Sequence, residues 1–169
     1  ATEETIAHVP RAQAADIAVA VERARHAQRA WRRVPGLEKA ALLPAVAERI
    51  RGMHRELAEL MTLEGGKPMI ENLDEIEWTT ACFDYYAEIG RSSRGTTIPP
   101  SFEPQVNFTV KEPFGVVAAI VPFNYPLLLM AWKVAPALAA GNTVIIKPAE
   151  ETPLATLKLA EAFSVLPPG

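Results

Sequence analysis

Residues 115–147 read GVVAAIVPFNYPLLLMAWKVAPALAAGNTVIIK, and the fold turns on them. The run 115–121 is apolar without interruption, which suits a strand covered on both faces, as in parallel sheets. Pro126 is placed to open a helix over 126–140, Gly141 stands at its C-terminal cap, and Asn142 starts the next segment. Thr143, Val144, Ile145 and Ile146 form a second apolar strand. With a last helix over 153–166, the final third reads β-α-β-α, whose two parallel strands take the usual right-handed crossover. The expected class is α/β.

Upstream the pattern is helical. Ile17, Val21, Ala24, Gln28 and Trp31 recur at steps of four and three, predicting a helix that Asp16 caps and that stops by Pro35 and Gly36. Leu42, Val46, Ile50, Met53, Leu57 and Leu60 continue as one helix until Gly65 and Gly66. Leu73, Ile76, Thr80, Phe83 and Ala87 mark a third helix that ends near Gly90. Over 95–113 the pattern becomes short alternating or β-branched runs, 96–98 and 106–110, separated by Pro99, Pro100 and Pro104, which reads as an extended arm or edge hairpin. The chain thus divides into helices over 1–94, an arm over 95–113 and the β-α-β-α unit over 114–169.

A chain of 169 residues can bury roughly 70% of its unfolded surface in one core. Seventeen basic and twenty acidic side chains give a net charge of −3, and 49% of residues are hydrophobic, which disfavours disorder and a basic nucleic-acid platform. One cysteine, Cys82, cannot form an internal disulfide and fits a reducing compartment, with the cytoplasm as the default. The apolar stretch 116–146 is broken by Pro122, Asn124, Pro126, Lys133, Pro136 and Asn142, so no uninterrupted run of the ~20 residues needed to span a bilayer is present and no membrane partner is expected. The acidic start Ala1-Thr2-Glu3-Glu4 reads as neither a secretory nor a mitochondrial leader, and the closing Leu166-Pro167-Pro168-Gly169 ends on turn residues. The expectation is a piece of something longer.

In a doubly wound sheet, ligands sit beyond the carboxyl ends of the strands. Two clusters lie there: Pro122, Phe123, Asn124, Tyr125 and Pro126 after the first strand, and Lys147, Pro148, Ala149, Glu150, Glu151, Thr152 and Pro153 after the second. Neighbouring strands about 4.8 Å apart would open both on one edge. An amide, an ammonium and carboxylates then line one crevice, with helix N-termini at Pro126 and Pro153 aimed into it, an arrangement suited to an anionic, hydroxyl-bearing ligand such as a nucleotide.

Three linked motifs in these stretches, 115–126, 132–144 and 147–154, resemble the aldehyde dehydrogenase superfamily in order and spacing, and so do residues 63–68, LEGGKP, and 166–169, LPPG. The likeness spans nearly the whole chain and covers the N-terminal part of the family's sequence. It implies a Rossmann-like cofactor domain with N-terminal helices and a β oligomerisation arm. It implies an enzyme in which a cysteine thiolate attacks a small-molecule aldehyde, an asparagine amide and a backbone N–H hold the oxyanion, hydride passes to NAD or, less favoured, NADP, and a carboxylic acid is released. It also implies a homo-oligomer, a dimer or tetramer.

Residue by residue, Asn124 matches the oxyanion asparagine; as a residue two before Pro126 it also reads as a turn or capping residue. Lys147 and Glu150 match the residues that hold the adenosine ribose, where the carboxylate disfavours a 2′-phosphate and so favours NAD; by themselves they read as a solvated loop beside a helix start. Ile120, Val121, Pro122 and Phe123 match a stretch that lines the cofactor. Lys133 matches a lysine implied to assist proton movement, though a single lysine in an amphipathic helix is more often solvent-exposed.

Other candidates carry less. Cys82, on a helical pattern with Trp78, Tyr85, Tyr86 and Ile89, reads as a structural thiol. His8, His26 and His54 have no metal-ligand spacing, and Glu64 with Glu151 falls short of the roughly six oxygens a structural cation needs, so no metal is expected. The family's nucleophile, general base and glycine-containing cofactor motif have no counterpart in these residues, so this segment alone is expected to be inactive. Phe123 stands where many members carry tryptophan. Two other readings stay open: a non-catalytic nucleotide-binding or scaffold fragment, and an acyl-phosphate reductase sharing the fold. Tyr125, Leu129 and Trp132 give an apolar, aromatic hint of a substrate tunnel, but the aldehyde is not legible.

Overall fold

The computed structural model describes residues 3–167, so the terminal pairs Ala1-Thr2 and Pro168-Gly169 lie outside the described residues. Four helices come first: α1 (Ala14–Trp31), α2 (Gly36–Gly52), α3 (His54–Gly65) and α4 (Met69–Arg91). A small antiparallel hairpin, β1 (Thr97–Ile98) with β2 (Asn107–Phe108), forms the arm. Then β3 (Val116–Ile120), α5 (Pro126–Ala139) and β4 (Thr143–Lys147) form a parallel β-α-β unit, followed by α6 (Leu154–Leu159) and a 3-10 helix over Ala160–Val165. The class is α/β, as the apolar runs predict.

The core lies between α2, α4 and α5. Leu43, Val46, Ile50, Ile76, Phe83, Leu127, Met130 and Leu159 are sealed from solvent there. α1 is fastened by Trp31, whose indole N–H donates to the Leu138 carbonyl at 3.1 Å. At the arm, Gly95 has no room for a side chain: a Cβ would fall 1.8 Å from the carbonyl oxygen of Thr109, just past β2.

The β3–β4 ladder runs in register from Val116 beside Thr143 to Ile120 beside Lys147, which places both strand ends on one edge. The α5 terminus sets this register. Gly141 takes a left-handed φ of 89°, and the Gly141 and Asn142 N–H groups donate back to Leu138 at 3.0 Å and Ala137 at 2.9 Å, a Schellman closure. The Asn142 side chain then accepts from the Gly115 N–H at 2.9 Å and donates to Ala137 at 3.2 Å, tying the start of β3 to the end of α5.

Four expectations need correction. Asp16 is not the cap of α1: Gln13 is, and Asp16 stands three residues on, its carboxylate accepting from the Gln13 N–H at 2.7 Å. The helix expected from Leu42 to Leu60 breaks at Gly52, a poor helix former, where Met53 leaves helical geometry and α3 begins anew. The last helix tightens to 3-10 winding after Leu159, where Phe163 packs edge-on against Phe83 at 5.9 Å. Finally, β3 and β4 are not covered on both faces, for only Ala119 among their residues is buried.

Candidate functional site

The two strand-end clusters meet as the topology requires. The Val121 N–H donates to the Lys147 carbonyl at 3.1 Å, extending the ladder one step past the strands. Thr152 lies beneath the junction, and its hydroxyl reaches the Phe123 carbonyl at 3.4 Å. Ile120, Pro122, Phe123 and Asn124 are exposed on this edge, whereas Val121 turns its side chain into the core. Any contact of Val121 with a ligand is therefore made by its backbone.

The helix N-termini behind these loops are filled from inside. Glu75, on α4 and sealed from solvent, accepts from the Leu127 and Leu128 N–H groups at 2.8 and 3.1 Å through one carboxylate oxygen. Its other oxygen pairs with the Lys67 ammonium. Glu64, at the end of α3, accepts from the Leu154 and Ala155 N–H groups at 2.7 and 2.9 Å. Burial holds the Glu64 carboxyl above its ordinary range, outweighing the opposite pull of these two donors. The expected orientation of the α5 and α6 N-termini toward an anionic ligand is thereby corrected: their first N–H groups already serve internal carboxylates. Both oxygens of Glu64 are engaged in that role, while Glu151 is exposed.

Lys67 joins this arrangement to the Asn124 loop. Its ammonium lies 3.4 Å from the Asn124 main-chain carbonyl and 4.0 Å above the centre of the Tyr125 ring, whose neighbour is the Trp78 ring at 6.4 Å. Removing one member of a buried ion pair typically costs about 3–5 kcal/mol, because the other charge stays behind unpaired. Lys67 and Glu75 thus tie α4 to this loop.

Lys147 and Glu150 lie at the end of β4, 3.7 Å apart and both largely exposed, one donor and one acceptor able to face the same ligand. Lys133 stands apart from them on α5, exposed, with its ammonium 3.4 Å from the Leu129 carbonyl of its own helix. No described contact links it to Asn124. Cys82 is buried, and burial pushes its thiol up to about 11, the opposite of an activated nucleophile. Among the described residues there is no group of three His, Cys, Asp or Glu that could hold a metal, and no helix long and apolar enough to cross a membrane.

Sequence reading misses Glu75 altogether, and it misses the contacts of Thr152, Asn142 and Lys67, which it places only in a strand-end cluster, at the start of a segment and within LEGGKP. The available signal for Glu75 was weak: a carboxylate adjoining the apolar stripe of α4, beside Ile76. Lys67 was visible within the LEGGKP stretch but carried no partner there.

A family model described as aldehyde dehydrogenase family matches residues 1–169. Betaine aldehyde dehydrogenase 1 of Oryza sativa is 44% identical over 179 aligned residues, which cover 100% of this chain and 35% of the rice protein. Among solved structures, an NADP-dependent enzyme of E. coli superposes with a TM-score of 0.96 at 36% identity, over 99% of this chain and 35% of that one. A betaine aldehyde dehydrogenase of Staphylococcus aureus, solved in complex with NAD+, superposes with a TM-score of 0.94 at 34% identity, over 98% of this chain and 34% of that one. The chain thus spans about a third of the length of the proteins it matches.

Proposed function

We infer that this chain, which belongs to the aldehyde dehydrogenase family, serves the NAD(P)-dependent oxidation of an aldehyde to a carboxylic acid by furnishing one wall of the cofactor crevice and the oxyanion amide. The observation that carries the reading is the register of β3 and β4, which sets the Asn124 loop and the Lys147–Glu150 loop side by side at one sheet edge. Residues 114–169 are the nucleotide-facing unit, residues 1–94 cover it, and the 95–113 hairpin serves association into a dimer or tetramer. The buried, unpaired Cys82 is in keeping with a reducing compartment such as the cytoplasm.

The donor set fits the sugar end of a dinucleotide. Lys147 can donate to, and Glu150 can accept from, ribose hydroxyls, and the Glu150 charge disfavours a 2′-phosphate, which favours NAD over NADP. Pyrophosphate is served less well, because the first N–H groups of α5 and α6 are already taken by Glu75 and Glu64. When bound, the nicotinamide supplies the hydride acceptor. This chain's own part is to hold the ribose through Lys147 and Glu150, to line the crevice with Ile120, Pro122 and Phe123, and to aim the Asn124 amide at the oxygen on which negative charge develops. An amide suits that place because it donates without titrating. Attack on the aldehyde is assigned to a cysteine thiolate other than Cys82, whose raised pKa and burial disqualify it. Lys133, on the same helix that the Asn124 loop opens, is assigned to proton movement.

The test is aldehyde-dependent reduction of NAD by the complete polypeptide, with Asn124→Ala beside it. Loss of an oxyanion donor is expected to lower kcat by about 10² to 10³. An unchanged kcat would remove Asn124 from the chemistry, and no aldehyde-dependent reduction at all would overturn the reading.

A further inference from the structure

The backbone of the 123–125 loop is held at each of its carbonyls. The Thr152 hydroxyl reaches the Phe123 carbonyl at 3.4 Å, the Lys67 ammonium reaches that of Asn124 at 3.4 Å, and the Leu129 N–H donates to that of Tyr125 at 3.0 Å. Just after the loop, the Leu127 and Leu128 N–H groups are held by Glu75, the same carboxylate that pairs with Lys67. Lys67 thus touches Glu75, the Asn124 carbonyl and the Tyr125 ring at once, and 17% of its side chain remains exposed. The Asn124 residue itself is exposed, with its main-chain carbonyl the atom that Lys67 takes.

We propose that Lys67, anchored by Glu75, is a positioning residue for the reaction: by pinning the peptide between Asn124 and Tyr125 it fixes the direction in which the Asn124 amide points at the reacting oxygen. The proposal rests on the oxyanion reading of Asn124. The physical reason is rotational. An exposed side chain on a loop with a free carbonyl can swing with its peptide plane, and small misplacements of a catalytic group cost heavily in rate. A cation that grips the carbonyl and lies over the next residue's ring suppresses that swing, while the carboxylate behind it keeps the cation from following solvent.

The experiment is a double-mutant cycle in the complete polypeptide, measuring kcat and the KM for NAD of Lys67→Gln, Asn124→Ala and the pair. The expected result is a kcat about 10-fold lower for Lys67→Gln, an NAD KM within about 2-fold, and less than about 2-fold further loss when Asn124 is already alanine, because no amide is left to misdirect. An equal loss in both backgrounds, or no loss of kcat, overturns the positioning role and leaves the oxyanion reading standing. An unchanged kcat in Asn124→Ala alone overturns the oxyanion reading and this proposal with it. If Lys67→Gln does not fold, Lys67→Arg keeps a cation against Glu75 but replaces the point charge by a planar fork, and the same cycle expects a loss of about 3-fold that disappears in the Asn124→Ala background.

Discussion

Cys82 and Glu75 both lie on the buried side of α4, and they differ in how far their surroundings can be read from local pattern. The Cys82 thiol is pushed up to about 11 from 9.0 by burial. The fold therefore favours the neutral thiol: its contribution to stability is full below pH 9.0 and is lost as pH rises through about 11. At pH 8 the native thiolate population should be about 100-fold below that of the unfolded chain. Alkylation by iodoacetamide is expected to be slower by at least that factor in native protein, and equal rates in native and urea-unfolded protein would refute it. Cys82 was legible as a structural thiol because no His or Asn stands near it at a catalytic spacing and a lone thiol packs as a small hydrophobe. Glu75 was not. It is one of several carboxylates on α4, and the two N–H groups it caps lie 52 and 53 residues away. Nothing within a helical turn distinguishes it from exposed Glu71 and Glu77.

The elements that sequence pattern located best are those bounded by residues with restricted backbones. Pro126 begins α5, and Gly141 ends it in the left-handed conformation, so both limits were written locally. The break between α2 and α3 was missed because Leu42, Val46, Ile50, Met53, Leu57 and Leu60 keep one apolar period across it, and periodicity cannot register a change of axis. Asn142 was read as the start of a segment, but its side chain bridges two elements whose junction lies 27 residues apart in sequence. Asn142→Ala leaves the Gly115 N–H without that acceptor, which costs about 1–3 kcal/mol. At about 2–4 °C per kcal/mol for a chain of this size, the expected fall in Tm is roughly 2–12 °C. Thermal unfolding followed by circular dichroism checks this, and a Tm within about 1 °C of the parent would show that the bridge adds nothing to stability.

At the scale of the whole molecule, class and topology were legible while covering was not. The parallel pair forms as the apolar runs dictate, but a cleft of about 730 Å³ lies between α1 and β4, walled by Ala24, Trp31, Val144, Ile146 and Phe163. An apolar run announces that a strand prefers to be covered; it does not name the covering element. The same holds for the helix starts, which sequence reading offered to a ligand and which the fold gives to Glu75 and Glu64. That substitution has an electrostatic consequence for anything bound at the sheet edge. With the first N–H groups of both helices taken from within, few helix-end donors are left there to grip a phosphate, and on the proposed reading recognition rests on hydroxyls. Adenosine and AMP should therefore compete for this edge of the 169-residue chain with similar affinity, and neither should weaken much as salt shortens the Debye length from roughly 10 Å at 0.1 M to about 3 Å at 1 M. Isothermal titration across that range checks it; a steep fall in AMP affinity with salt, absent for adenosine, would mean that a positive field survives at the edge despite the two carboxylates.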